Sequence, residues 1–257
     1  MRLRMSKIVD MRVAGTIRAL ILLCAGAIGS ALGSASDQNA NEMHDDHLVP
    51  VQYRAGGELE VYDKLCRAKL FLTTGDTARL LEQVGSRVPE IAVSIYRDTT
   101  KAHSLPGGYW LTLTQPSVSL WDVVENKSGP LVESQSVKIL RLDVPMPEST
   151  ALAVHKLWVV MLKQAKPLPK GKYGIGLDCA METFSATNSD GKSFEAEVPC
   201  IDLKTKSSNT RRLIEIGRNF ISYFNIPVHE RPELARKIEN AADALLRDVS
   251  QESGRVD

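Results

Sequence analysis

Two cysteines, Cys179 and Cys200, flank a polar stretch, and thiols at this separation can form a disulfide, bind a metal or carry out redox chemistry. The segment "NSDG" at 188–191 is typical of a turn between two strands. If those four residues form the loop, Thr187 lies opposite Lys192, partner numbers sum to 379, and the cysteines face each other. Such non-hydrogen-bonded partners have Cα atoms about 4.5 Å apart, within disulfide range. A two-residue Asp-Gly turn would offset them diagonally, and a bulge would put them on opposite faces.

The alternatives for this cysteine pair have weaker support in the sequence. Zinc sites favour closely spaced Cys and His ligands, and dithiol redox sites favour C-x-x-C, a motif that the sequence lacks. We therefore expect a Cys179–Cys200 disulfide, with pairing through Cys66 or buried free thiols as the alternatives. Cys66 itself is expected to be a buried apolar residue or an intermolecular link.

The segment "HDDH" at 44–47 offers a possible divalent metal site, because His44, Asp46 and His47 are all competent ligands. It lies in a polar leader without periodicity, so coordination would have to order a flexible chain and affinity would be modest. The alternative interpretation is a solvated polar tail.

Arg211 and Arg212 open a helix whose preceding residues "TKSSN" bring hydroxyls and backbone donors to the same place. A helix N-terminus with guanidinium groups can bind an anion. The alternative is that both arginines reach water or nearby acids.

Tyr109 and Trp110 follow the flexible turn "SLPGG", where two aromatic side chains can stack on a glycan or a peptide. The alternative is a hairpin turn whose Trp covers an edge of the core. His155, on a helical stripe beside Trp158, is expected to be a satisfied helix histidine rather than a catalytic base.

The sequence contains no recognised catalytic signature: G-x-S-x-G, H-E-x-x-H, the P-loop and G-x-G-x-x-G are all missing. We assign no catalytic residue and no cofactor. Scattered catalytic groups would leave no such motif, so an enzyme remains an alternative.

The N-terminus is typical of a secretory signal peptide. Five basic residues precede the apolar run "ALILLCAGAIGSALG", and small residues follow. The run is interrupted and shorter than the roughly 20 apolar residues of a membrane span. We expect cleavage near residue 35 and a mature chain without a span, located in the periplasm or secreted.

The charge of the expected mature chain argues against nucleic-acid binding. Residues 1–35 carry five Lys/Arg and one acid, so their removal takes the net charge from +1 to about −3. Binding to nucleic acid needs a basic footprint, which a weakly acidic chain does not supply.

Most of the segments between 50 and 145 are predicted to be strands. Alternation of apolar and polar residues predicts strands over 90–98, 109–115 and 137–144, and the composition of 59–72 is read as one or two strands. Residues 77–84 are predicted to be a short helix, capped by Asp76 or Thr77.

Three longer helices are predicted in the second half. The first spans about 147–166 with Ser149 or Thr150 as its N-cap, and the second spans 208–224. The third, 232–249, has a narrow apolar stripe, which fits a helix on the surface of a body or against a partner.

These elements predict an α+β protein, mainly an antiparallel sheet with helices packed on one side, preceded by a signal peptide. The expected organisation is a signal peptide over 1–35, a disordered leader over 36–49, one domain over 50–250 and a frayed tail over 251–257.

Residues 155–224 resemble a diffuse set of uncharacterised exported proteobacterial proteins. The shared runs are "LWVVML", "DGKSFEAEVP" and "RLIEIGRNFISYF". The resemblance implies a bacterial, exported origin and no particular activity.

We expect an exported, non-enzymatic protein that binds an envelope protein or a small ligand, with helix 232–249 as the partner-facing element. The alternatives are an envelope hydrolase with scattered catalytic residues and a weak metal-binding module that uses the leader. The sequence specifies no oligomeric state.

Overall fold

The fold is known from a computed structural model, which describes residues 47–51, 57–71, 76–83, 88–98, 108–125, 137–167, 181–198 and 208–253. All of them belong to one compact unit that runs from Asp45 to Asp257. The expected signal peptide, Cys179, Cys200 and the last four residues lie outside the described ranges.

Seven strands in the described part of the chain form one sheet in which every pairing is antiparallel. The spatial order is β1-β7-β6-β2-β3-β4-β5, so β1 and β5 are the outer strands. The strands are β1 Val49–Pro50, β2 Asp76–Gln83, β3 Ile91–Arg97, β4 Tyr109–Pro116, β5 Ile139–Pro145, β6 Met181–Thr187 and β7 Ser193–Glu197.

Five helices accompany this sheet within the described ranges, with one turn of 3₁₀ helix at Val228–Glu230. They are α1 Glu58–Leu70, α2 Leu120–Glu125, α3 Glu148–Lys163, α4 Asn209–Asn225 and α5 Arg231–Ser253. The α+β class and the antiparallel sheet are confirmed.

The main core lies between one face of the sheet and the three long helices α3, α4 and α5. Leu80, Val93 and Phe184 from neighbouring strands are buried there. Trp158 of α3 makes edge-to-face contacts with Phe184 at 5.1 Å and Phe220 at 6.1 Å between ring centroids. Large side chains buried in this way contribute most of the hydrophobic stabilisation.

A second, smaller core lies on the opposite face, beneath α1 and α2. Leu81 and Ala92, each adjacent in sequence to a main-core residue, pack there against Tyr62, Cys66 and Leu70. Helices on this face were not expected from the sequence, which predicted helices on one side only.

The described part of the segment 59–72, residues 59–71, does not form strands and lies mostly in α1. Tyr62, Cys66 and Leu70 recur every four residues and are its buried positions. Ion pairs at the same spacing, such as Asp63–Arg67 with a nitrogen–oxygen distance of 2.8 Å, add helical support. Helical spacing therefore outweighs the strand-like composition of this segment.

The short helix expected over 77–84 is wrong as well, because residues 76–83 form the central strand β2. Leu80 and Leu81 are both buried since helices cover both faces of the sheet. A strand that is covered on both faces has apolar residues at successive positions. Such an apolar run cannot be distinguished from a buried helix segment by periodicity alone.

The β6–β7 hairpin has a different register from the one predicted. Thr187 pairs with Ser193 and Thr183 with Glu197, so partner numbers sum to 380 instead of 379. The Gly191 amide donates to the Asn188 carbonyl at 3.0 Å, and Gly191 has φ +75°, the arrangement of a turn followed by a bulge. A Cys179–Cys200 disulfide stays a prediction, because both residues lie outside the described ranges. The partner sum of 379 that favoured this pairing does not hold.

The predicted N-cap of α3 is also incorrect. The helix begins at Glu148 after Pro147, which makes no side-chain capping bond. Ser149 and Thr150 instead donate to Glu239 Oε2 on α5, at 2.7 and 3.1 Å. Their hydroxyls therefore link two helices.

The apolar stripe of α5 is used inside the protein. Ile238, Leu245 and Val249 are buried in the main core, where α5 packs against α3 and α4. The stripe is therefore covered within this chain and gives no support to a partner-facing role of the helix, which stays a prediction.

Candidate functional site

The outer strand β5 has one edge that no other described strand pairs with. The Met146 amide donates to the Tyr109 carbonyl at 3.1 Å and the Ser117 amide to the Lys138 carbonyl at 2.8 Å. These bonds show that even-numbered residues of β5 are bonded to β4. The backbone groups of Ile139, Arg141 and Asp143 point outward, where none of the described residues pairs with them.

The side chains of β5 differ in chemistry between the two faces of the sheet. Leu140 and Leu142, on the main-core face, are each 37% exposed, unlike the buried Val144 further along the strand. On the other face Arg141 forms an ion pair with Asp143, with an Nε–Oδ2 distance of 3.0 Å, and this pair raises the pKa of Arg141. An edge with apolar positions on one face and charges on the other can receive an extended polypeptide strand.

A second polar arrangement lies at one end of the main-core face. Glu82 of β2 and Glu182 of β6 are directly opposite each other, with side chains only 13% and 6% exposed. Arg218 of α4 donates to Glu182 Oε1 at 3.0 Å, whereas its nearest approach to Glu82 is 3.8 Å. Two carboxylates therefore share one guanidinium, and the Glu82 carboxylate makes no hydrogen bond with the rest of the described chain.

The electrostatics of this pair follow from burial. Loss of solvation raises the pKa of Glu82 and that of Glu182 above the ordinary value, and Arg218 only partly opposes the change. Buried carboxyls with perturbed pKa values are common in catalytic sites and also in structural ion networks.

Glu90 is the centre of a third polar cluster, under α1 and α2. It is fully buried and accepts hydrogen bonds from Tyr62 Oη at 2.8 Å and from the amides of Leu120 and Trp121 at 2.9 and 3.2 Å. Its carboxylate thus satisfies the first donors of α2, which is a structural role. Burial, with Glu90 next, raises the pKa of the nearby Cys66 thiol to about 12, so this thiol stays protonated.

Arginines of α1 and β2 meet beside this cluster. Arg67 lies 2.7 Å from Glu195 of β7, and the Arg79 guanidinium stacks on the Phe71 ring with its carbon 3.8 Å from the centroid. Burial lowers the pKa of Arg79 to about 10, which Glu195 opposes. These contacts attach α1 to the sheet.

The predicted metal site at 44–47 stays a prediction, because most of it lies outside the described ranges. His44 and Asp46 lie outside the described ranges, and His47 precedes β1 at intermediate exposure. Within those ranges, no three His, Cys, Asp or Glu side chains are grouped so that they would hold a metal ion.

Both arginines of the predicted anion site contact acids. Arg211 Nε lies 3.5 Å from Glu215 one turn along α4, and Arg212 Nη1 lies 2.6 Å from Asp248 of α5. Ser208 caps the helix by accepting from the Arg211 amide at 3.1 Å. This arrangement matches the alternative interpretation, in which the side chains pair with nearby acids.

Tyr109 and Trp110 do not form one stacking surface. They are neighbours on β4, so their side chains point to opposite faces of the sheet. Tyr109 is 7% exposed and belongs to the main core. His155 Nε2 lies 2.7 Å from the Thr187 carbonyl, where it can only donate, as expected for a satisfied helix histidine.

The β5 edge and the acid pair were not among the sites predicted from the sequence. The alternation in "ILRLDVP" was visible and predicted a strand, but not that this strand is the last in the sheet. The acid pair was not predicted because the segment of Glu82 was expected to be a helix. Glu182 is also 100 positions away along the chain, so the sequence does not show that the two side chains are neighbours.

Comparison with family models, curated proteins and solved structures finds no match for this chain. The resemblance to exported bacterial proteins therefore stays a prediction. No helix in the described ranges combines the length and apolar character needed to cross a bilayer.

Proposed function

We propose that this chain is an exported protein without catalytic activity of its own, which binds a polypeptide partner in the cell envelope along β5. The outer edge of β5, which pairs with none of the residues that the structure describes, is the observation that carries the proposal. Its outward amides and carbonyls supply the main-chain hydrogen bonds of strand addition, and Leu140 and Leu142 supply apolar contacts.

The edge also has features that restrict which strands pair with it. Charges on an outer strand disfavour nonspecific pairing, and Arg141 and Asp143 place one charge of each sign along the edge. Pro145 lacks an amide hydrogen and weakens the pairing at that end. A partner must therefore match both the charge order and the length of the strand.

A pair of substitutions at one position tests the edge. Arg141→Pro removes the outward amide without removing a bond to β4, whereas Arg141→Ala removes the same side chain and keeps the amide. Tagged mature protein is incubated with envelope extract, and captured proteins are identified by mass spectrometry. We expect the Ala variant to retain a protein that the Pro variant loses.

Capture of the same partner protein in equal amounts by the two variants, with circular dichroism showing that both are folded, would overturn the proposal. Leu152→Ser serves as a control for general stickiness, because Leu152 is a 46% exposed apolar residue on α3 rather than on the edge. This control should capture the same protein as the unaltered chain.

The export part of the proposal has its own test. Expression of the full chain with a C-terminal tag, followed by fractionation and intact-mass measurement, should give an envelope or secreted species that lacks about the first 35 residues. A species of full mass in the cytoplasm would contradict it.

The Glu82–Glu182 pair favours an envelope hydrolase as a second candidate function. Two carboxyls in different environments can serve as general acid and general base. In that function Glu82, which has no hydrogen-bonded cation among the described residues, holds the proton, and Glu182 beside Arg218 acts as the base. Hydrolysis of cell-wall glycan that Glu182→Gln abolishes and Arg141→Pro preserves would favour the hydrolase over the binding protein.

A further inference from the structure

We infer that the polypeptide received by the β5 edge is β5 of a second copy of this chain, so that two sheets join into one. This inference rests on the proposed function, since it names the partner of the same edge. Its basis is the self-complementary order of side chains along "ILRLDVP", residues 139–145.

The direction of the backbone groups restricts the possible registers. Only odd-numbered residues of β5 have amides and carbonyls that point away from β4. Two copies that pair antiparallel must therefore match odd residues with odd residues. The sum of partner numbers is then even, and the three registers centred on the strand have sums of 282, 284 and 286.

The charges of Arg141 and Asp143 favour one of these three registers. A sum of 282 places Arg141 opposite Arg141 of the second copy, and 286 places Asp143 opposite Asp143 of the second copy. Like charges directly opposite each other are destabilising. A sum of 284 instead places each Arg141 opposite Asp143 of the other copy, so both charged pairs are attractive.

The apolar residues agree with the same register. With a sum of 284, Leu142 meets Leu142 of the second copy, and Leu140 meets Val144 of the second copy. A two-fold axis perpendicular to the sheet keeps these residues on the main-core face of both copies. The two leucines that are 37% exposed in the single chain are thereby covered.

Charge reversal tests the pairing. We expect the mature protein to sediment as a dimer. Arg141→Asp and Asp143→Arg each place like charges opposite each other, and each should weaken association at least tenfold. An equimolar mixture of these two variants restores both attractive pairs, so the mixture should form a heterodimer. Failure of the mixture to associate, with both variants folded, would overturn the inference.

A cross-link tests the register. Leu142→Cys places two thiols across the two-fold axis with Cα atoms about 4.5 Å apart, within disulfide range. Oxidation with copper phenanthroline should give a covalent dimer for Leu142→Cys but not for Leu140→Cys, beyond the level of the unaltered chain. The reverse result would overturn the register.

The outcomes separate this inference from the proposed function. A monomeric protein that captures a different envelope protein, with capture lost in Arg141→Pro and kept in Arg141→Ala, overturns self-association and supports the function. A protein that neither self-associates nor captures a partner through β5 overturns both.

Discussion

At the scale of single residues, Glu82 and Glu182 place two carboxyls side by side at one end of the main-core face, where both lie close to the Arg218 guanidinium. Burial holds the pKa of Glu82 above its unfolded value of about 4.5, so the folded state binds this proton more tightly than the unfolded chain. By linkage, this group lowers the free energy of unfolding as the pH rises above about 4.5. Below that pH it does not lower the free energy of unfolding.

Glu82→Gln should remove that pH dependence. The variant should be more stable than the unaltered protein at neutral pH, with the difference shrinking as pH falls towards about 4.5. Urea unfolding at a series of pH values measures it. Glu215→Gln, at a carboxyl 61% exposed on α4, is the matched control. A constant difference between Glu82→Gln and the unaltered protein at every pH would contradict the prediction.

Cys66 should be unreactive in the folded protein. It is fully buried, and burial raises the pKa of its thiol to about 12, so little thiolate exists at neutral pH. Alkylation with iodoacetamide at pH 8, followed by peptide mapping, should modify Cys66 at least a hundredfold more slowly than free cysteine, and readily in denaturant. Rapid labelling of the native protein would show that the site is open.

At the scale of elements, the approach of α4 to the sheet depends on a glycine. A Cβ at Gly217 would lie 2.7 Å from Leu80 Cδ2, closer than real contacts allow. Gly217 thus lets α4 pack directly on β2, and this close packing places the next residue, Arg218, beside Glu182.

Gly217→Ala should lower the free energy of unfolding by about 1–3 kcal/mol, the usual cost of overpacking a core. The intrinsic gain in helix propensity, about 1 kcal/mol, opposes part of it. Ser222→Ala, on the exposed face of α4, controls for propensity and should be neutral within about 0.5 kcal/mol. A stabilised Gly217→Ala would mean that Leu80 moves aside without cost.

Helix α2 depends on the carboxylate of Glu90. This side chain accepts hydrogen bonds from the amides of Leu120 and Trp121. Glu90→Gln therefore replaces charge-assisted hydrogen bonds with weaker ones. We expect a loss of about 2 kcal/mol in the free energy of unfolding. Glu125→Gln, at the exposed end of α2, should change it by less than about 0.5 kcal/mol. Equal effects of the two substitutions would remove Glu90 from its capping role.

At the scale of the whole molecule, the two cores share one sheet. Neighbouring residues of β2, Leu80 and Leu81, belong to different cores, as do Val93 and Ala92 of β3. Unfolding either layer of helices exposes strands that the other layer needs. The sheet therefore makes the folding of the two layers cooperative.

This coupling predicts a single unfolding transition. Trp121 reports on the smaller core through its edge-to-face contact with Tyr62, and Trp158 reports on the main core. One variant retains Trp121 without Trp158, and the other retains Trp158 without Trp121. For each variant, urea unfolding followed by fluorescence and by circular dichroism should give the same midpoint. A Trp121 signal lost at lower urea than the circular dichroism would show that α1 and α2 unfold separately.

The sequence by itself determined the α+β class, the strands β3, β4 and β5, and the helices α3, α4 and α5. Each of these has a local pattern, such as the alternation around Val93 or the stripe that contains Ile238, which needs one covered face to be interpreted. The segments that became α1 and β2 were assigned the opposite types. The identity of β2 depends on burial of both its faces, which adjacent sequence does not encode.

Only the tertiary structure decided the remaining features. Gly191 shifted the hairpin register by one position through a bulge, because turn geometry rather than residue count sets the pairing. The order of strands made β5 an outer strand, and packing of α4 brought Arg218 to Glu82 and Glu182. Local patterns specify which face of an element is apolar, whereas contacts between distant residues decide what covers that face and which edge is left unpaired.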